Sequence, residues 1–175
     1  MKGRVLIIAG SDSGGGAGIQ ADIKAVTALD GFAMTAITAL TAQNTLGVHG
    51  VVGIEPAFIA QQMDVVLADL GADAIKTGML HSAAVIETVA RALAAHAPAT
   101  PLVIDPVMVA KGGHRLLQAA AERSLIEHLL PRAALVTPNL PEAEALAGFA
   151  VSNEADMARA GQAILAMGPT AVLVK

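Results

Sequence analysis

The residues best placed to do chemistry are two carboxylates and a carboxamide in the second half of the chain. Asp105 lies in Asp105-Pro106-Val107-Met108, and Asn139 and Glu142 lie in Pro138-Asn139-Leu140-Pro141-Glu142. Each acid follows a different apolar run by a few residues. Two such side chains on adjacent loops of one sheet can share a magnesium ion through water, with Asn139 as a neutral ligand or an anchor for that water. Taken singly, they also admit plainer roles: Asp105 can cap a turn before Pro106, and Glu142 can open a helix at Pro141. Together they favour function. A second candidate is the run Gly10-Ser11-Asp12-Ser13-Gly14-Gly15-Gly16-Ala17-Gly18. It follows an apolar stretch at 5–9 and precedes a helical pattern with Ile19, Ile23, Val26 and Leu29 on one face. Glycine permits positive φ and close approach, and a helix start adds unpaired N–H donors and a positive dipole end, which suggests a phosphate cradle.

The familiar nucleotide motifs do not support that cradle. A Walker loop needs Gly-x-x-x-x-Gly-Lys-Ser/Thr, and no lysine follows these glycines until Lys24. The dinucleotide fingerprint has no match starting at Gly10, Gly14, Gly15 or Gly16. Its acidic residue after a second strand is also missing, because Asp30 precedes that strand. The histidines, His49, His81, His96, His114 and His128, show no metal-ligand spacing. His96 and His128 fall near helix C-termini, where surface roles are expected. Lys111-Gly112-Gly113-His114 reads as a mobile loop that could approach phosphates or could be a solvated turn.

The elements that must position these residues follow from two alternating periods. Apolar, partly β-branched runs at 5–9, 34–40, 74–77, 102–104, 134–137 and 171–174 read as buried strands, with a short additional strand at 48–54 near an edge. Between them lie helical patterns. Pro56 suits a first turn, followed by Phe58, Ile59, Met63, Val66 and Leu67. Ser82 can cap a helix that buries Val85, Ile86, Val89 and Leu93. Further helices are expected over 116–130 and about 152–167, the last ended by Gly168-Pro169. Repeated β-α-β units imply an α/β fold, a central, mostly parallel sheet flanked by helices on both faces. In such a sheet ligands bind at the carboxyl ends of the strands, where the polar loops above converge.

Composition narrows the function classes. The chain of 175 residues suits a single domain, residues 1–175, with a proper core. No apolar run reaches the roughly 18 to 20 residues of a membrane helix, and the first residues lack a secretory leader's apolar region. Cysteine is absent, which excludes disulfides and thiolate chemistry from these residues. The net charge of −4 and 2% aromatic content argue against a nucleic-acid surface. A cytoplasmic protein acting on small molecules is expected.

Five ordered blocks carry a specific resemblance. They are residues 9–22, Thr41-Ala42-Gln43-Asn44-Thr45, Lys76-Thr77-Gly78-Met79-Leu80, 105–111 and 137–143. In order and spacing, they resemble the hydroxymethylpyrimidine/phosphomethylpyrimidine kinases of thiamine biosynthesis, members of the ribokinase-like superfamily. The resemblance runs from Arg4 to Lys175 and implies a ribokinase-like fold. It implies that Gly10, Asp22, Gln43, Met79 and Val107 bind the substrate ring. Gly10 gives close backbone approach, Asp22 and Gln43 make polar contacts, and Met79 and Val107 form apolar walls. A carboxylate accepts from an exocyclic amine, while a carboxamide both donates and accepts. Asn139 and Glu142 match the superfamily's Asn-x-x-Glu element, which works on magnesium and phosphates, with Asp105 as an acidic partner. Lys175 resembles a lysine near the ATP phosphates. ATP and Mg2+ are the implied cofactors, and a homodimer is the implied assembly.

The implied reaction phosphorylates 4-amino-5-hydroxymethyl-2-methylpyrimidine and then its monophosphate. The alternatives are a pyridoxal kinase and a non-catalytic pyrimidine-binding fragment; a nicotinamide oxidoreductase is more distant. One departure bears on catalysis. The family's Gly-Thr-Gly-Cys or Gly-Thr-Gly-Asp motif, which supplies an anion hole and a base, does not occur in these residues. The catalytic base is therefore unassigned. The expectation is a C-terminally truncated chain that keeps part of the ring pocket and has little or no kinase activity.

Overall fold

The computed structural model describes residues 2–108 and 119–175. The expected loop Lys111-Gly112-Gly113-His114 and the start of the helix expected from 116 lie outside them. Among the described residues six strands form one sheet: β1 (Arg4–Asp12), β2 (Phe32–Asn44), β3 (Gly47–Gly53), β4 (Ala74–Thr77), β5 (Leu102–Ile104) and β6 (Leu135–Val136). Their spatial order is β3-β2-β1-β4-β5-β6. All neighbours are parallel except β2 and β3, which form an antiparallel hairpin at one edge. The mixed sheet with one antiparallel edge strand agrees with the expected mostly parallel architecture.

β1 is central, and its sequence shows why. Leu6 and Ile8 point to one face and Ile7 and Ala9 to the other, and all four are fully buried. Helix α1 (Gly18–Ala28) covers the second face through Ile19, Ile23 and Val26. The larger core on the first face takes Ile59 and Met63 of α2 (Pro56–Asp69) and Val85, Ile86, Val89 and Leu93 of α3 (Ala83–His96). Each of these large side chains contributes on the order of 1.5–3 kcal/mol by leaving water. Ser82 caps α3, its hydroxyl accepting from Val85 N–H at 3.3 Å. Beyond α4 (Ala119–Ser124), helices α5 (Leu140–Ala147) and α6 (Glu154–Leu165) pack on this same core.

Several expectations need correction. Leu29 is not on the buried face of α1; it is the C-cap residue and is exposed. Phe58 is exposed as well, because the buried stripe of α2 runs through Ile59, Met63 and Leu67 at i, i+4 and i+8. The helix expected over 116–130 is α4 in its described part, then a π-helical turn at Leu125–Leu129 and a 3₁₀ turn at Leu130–Arg132. Pro131, lacking an N–H, stops the α-helical ladder there. The strand expected at 171–174 is reduced to a parallel bridge between Val136 and Val172. It still lies along β6, with Val136 N–H donating to Ala171 and Leu173 N–H to Val136. β1 and β2 are also longer than their apolar runs, because pairing of Ser11 with Leu40 and Asp12 with Thr41 carries the ladder into the polar residues.

Candidate active site at the carboxyl ends of the strands

The glycine turn is organised around Asp12, at the end of β1. Its carboxylate is buried and accepts from Gly14 N–H at 2.8 Å, Gly16 N–H at 3.0 Å and Ala17 N–H at 2.8 Å. Gln20 then ties α1 to the strand end, accepting from Asp12 N–H at 2.8 Å and donating to Ser11 Oγ at 2.7 Å. The donors that a phosphate would use are thus occupied by the chain's own carboxylate. This disposes of the cradle on physical grounds, independently of the missing lysine. The turn depends on glycine at one point above all. Gly18 has φ +55°, and a Cβ there would stand 2.3 Å from the Gly10 carbonyl oxygen.

The turn is also clamped to the second strand. Ser13 Oγ accepts from Gln43 N–H at 2.8 Å and donates to Gln43 C=O at 2.9 Å, so the hydroxyl holds the backbone that carries the Gln43 side chain. The carboxamide oxygen of Gln43 lies 3.3 Å from Thr41 Oγ1. Next to this, Gly10 and Met79 are in contact: a Cβ on Gly10 would come within 2.6 Å of Met79 Cε. Val107, on the loop after β5, has φ +36°, an uncommon conformation for a β-branched residue. Strain of this kind persists only where surrounding structure over-determines it, and it gathers at functional sites.

The charged residues form a row across the sheet ends. Asp22 on α1 pairs with Lys76 of β4 at 2.7 Å, Lys76 lies 3.7 Å from Asp105, and Lys175 lies 3.4 Å from the other oxygen of Asp105. Signs alternate along the row, so each charge has an opposite neighbour. Gly78 makes room for it. A Cβ there would meet Ala9 Cβ at 3.0 Å and Lys76 Nζ at 3.4 Å.

Asn139 and Glu142 form a capping box at the start of α5. The Asn139 side chain accepts from Glu142 N–H at 3.0 Å, and Glu142 Oε2 accepts from Asn139 N–H at 2.9 Å. The other oxygen of Glu142 accepts from Met108 N–H at a long 3.4 Å. The plainer role allowed for Glu142, opening a helix, is therefore filled, and it does not exhaust the residue. Burial raises the carboxyl pKa of Glu142, opposed by the Asn139 N–H; Asp105 adds to the rise, and the Met108 N–H and Lys175 lower it. Among the described residues no group of three or more His, Asp or Glu side chains is gathered for a metal ion. Magnesium ordinarily keeps several waters and uses one or two carboxylates together with phosphates, and Asp105 with Glu142 fits that modest requirement.

Two residues of the site escaped sequence reasoning. Lys76 was visible only as part of a motif, although a lysine between buried Ile75 and Thr77 in a short strand is itself a signal. Asp12 stands in the sequence reading only as one residue of the glycine-rich turn, although an aspartate followed by small residues is a recognised way to gather backbone N–H groups.

Comparison with known proteins accords with this geometry. A family model described as phosphomethylpyrimidine kinase matches residues 12–175. The hydroxymethylpyrimidine/phosphomethylpyrimidine kinase of Bacillus subtilis (strain 168) is 51% identical over 172 residues, covering 98% of this chain and 63% of that protein. Among solved structures, a crystal structure of phosphomethylpyrimidine kinase from Clostridium difficile 630 superposes with a TM-score of 0.91 at 45% identity, over 98% of this chain and 74% of that one. The pyridoxal kinase from Staphylococcus aureus in complex with pyridoxal gives 0.88 at 37% identity, over 98% of this chain and 62% of that one. The chain thus spans somewhat under two thirds of the Bacillus protein's length. By family model, sequence and fold together, the chain belongs to the phosphomethylpyrimidine kinase family.

Proposed function

We propose that this chain carries the ring-binding wall and part of the phosphate-binding wall of an ATP-dependent kinase. Its substrates are 4-amino-5-hydroxymethyl-2-methylpyrimidine and the corresponding monophosphate. The observation that carries the reading is the row Asp22–Lys76–Asp105–Lys175, which joins the two walls at the ends of one sheet. On one side Gly10, Met79 and Val107 offer apolar contact to a ring, and Asp22 and Gln43 offer an acceptor for an amine and a carboxamide for a ring edge. On the other side Asn139 and Lys175 face the nucleotide phosphates, and Asp105 and Glu142 take the solvated magnesium. The ion would neutralise charge on the transferring phosphoryl group, a reaction that depends on positioning and charge stabilisation. The residues of this chain bind and orient; the proton acceptor for the hydroxymethyl group is not assigned among them. A cytoplasmic homodimer accords with this reading through the family alone.

The similarity to a pyridoxal kinase favours one competing substrate, since pyridoxal also carries a hydroxymethyl group. Calorimetric titration of the chain with each ring, without nucleotide, separates the two. Tighter binding of the aminopyrimidine is expected, and preferential binding of pyridoxal would replace this reading with the other. A coupled assay for ATP-dependent phosphorylation tests turnover separately from binding.

A further inference from the structure

Lys76 touches two carboxylates that come from different elements. Its ammonium bonds Asp22 through Oδ2 alone, at 2.7 Å, and lies 3.7 Å from Oδ2 of Asp105. Among the described residues no hydrogen bond reaches Oδ1 of Asp22. An aspartate that is roughly a quarter exposed on a helix has several side-chain rotamers open to it. A strong, charge-assisted bond to one oxygen selects among them and leaves the other oxygen's lone pairs pointing in a fixed direction. The lysine is itself held, with Asp105 on its far side and the backbone of Gly78 alongside.

We propose that Lys76 is a positioning residue: by fixing Oδ2 of Asp22 it aims Oδ1 at an amine on the ring, and so sets the preference for an amine-bearing ring over one without it. This rests on the reading that the pocket takes an aminopyrimidine. An ionised carboxylate only accepts, so a ring with hydrogen in place of the amine leaves Oδ1 unpaired, and a buried group left unpaired is what gives such sites their discrimination. A lysine that merely braced α1 against β4 would affect both rings alike.

The test is calorimetric titration, without nucleotide, of the unmodified chain and of Lys76→Met, Lys76→Gln and Lys76→Arg. The two probes are 4-amino-5-hydroxymethyl-2-methylpyrimidine and its analogue lacking the amine. The unmodified chain should prefer the amine by at least about tenfold. Lys76→Met and Lys76→Gln should lose about tenfold for the amine ring, stay within about twofold for the analogue, and so lose most of the preference. Lys76→Arg should restore part of it. In a double-mutant cycle, Asp22→Ala should cost much less in the Lys76→Met background than alone. Equal losses for both rings, or a preference kept in Lys76→Gln, would overturn the proposal while leaving the pyrimidine reading intact. An unmodified chain that binds neither ring would overturn that reading and this proposal with it. Should Lys76→Met fail to fold, Lys76→Gln and Lys76→Arg decide the matter by the same ratio.

Discussion

Two turns at the carboxyl ends of this sheet each bury a carboxylate, and they treat it differently. After β1, Asp12 accepts from three backbone N–H groups within 3.0 Å. After β6, Glu142 has one good N–H at 2.9 Å and one at 3.4 Å, with Asp105 close enough to push its pKa up. The number and quality of donors decides what such a group can do. A carboxylate with three short N–H bonds is a structural anion that organises a turn. One that is buried with fewer donors, beside a second acid, retains lone pairs for a cation. The glycine-rich turn, which has the look of a phosphate site, is the structural one, and the inconspicuous Asn-x-x-Glu is the one proposed for chemistry.

The largest expected effect tests the structural half of this contrast. Asp12→Asn places an NH2 against N–H donors and removes the charge, and should cost about 2–3 kcal/mol in denaturant unfolding. Glu142→Gln keeps a usable capping residue and should cost less than about 1 kcal/mol at neutral pH. If the two variants unfold at the same denaturant concentration, the contrast fails.

Within the glycine turn, Gly18→Ala should follow, at about 1–3 kcal/mol, because the added Cβ meets a backbone oxygen at positive φ. Gly10→Ala should cost less in thermal unfolding, since its obstacle is the flexible end of Met79, yet it should weaken ring binding by intruding on the wall. A Gly10→Ala chain as unstable as Gly18→Ala would show that the Met79 contact is rigid.

A pH series sharpens the chemical half. The pKa of Glu142 is raised in the folded chain, so the native state holds its proton above the ordinary value of 4.5. Folding stability should therefore fall as pH rises from 4.5 through the raised value, and Glu142→Gln should flatten that part of the profile. An unchanged slope in the variant would mean that another group titrates there.

The smallest effect lies far from the site and serves as a control of opposite sign. Arg4 holds the Asp73 carboxyl down to about 2, from an ordinary 3.8, through hydrogen bonds. Its contribution should be full above 3.8 and lost as pH falls through about 2, so Asp73→Asn should lower stability by a constant amount above 3.8, and the difference from the unmodified chain should vanish as pH falls through about 2. A difference that varies with pH near neutrality, or that persists unchanged in strong acid, would count against the assignment.

Much of this was open to reading from the chain, for reasons visible in particular residues. Leu6, Ile7, Ile8 and Ala9 are apolar without alternation, which marks a strand buried on both faces, and Ser82 before Val85, Ile86 and Val89 marks a helix start. Phe58 and Leu29 misled because hydrophobicity tells which residues tolerate burial, not which of them the helix turns inward. The 171–174 segment misled in a different way. Its composition suits a strand, but its bonding to β6 amounts to a bridge and a few flanking hydrogen bonds.

The sequence by itself determined the alternation of strand and helix, the parallel sheet and the blocks that mark the family, because these depend on local periodicity and on residue types at fixed spacing. The tertiary structure decided which groups meet. Asp22, Lys76, Asp105 and Lys175 lie between positions 22 and 175 and form one row only because helix α1, strand β4, the loop after β5 and the segment bridged to β6 come together at one end of the sheet. It also decided that Asp12, rather than a ligand, fills the glycine turn. Hydrogen bonds and ion pairs reach about 3–4 Å, and no one-dimensional spacing reports which carboxylate a folded chain brings that close to which donor.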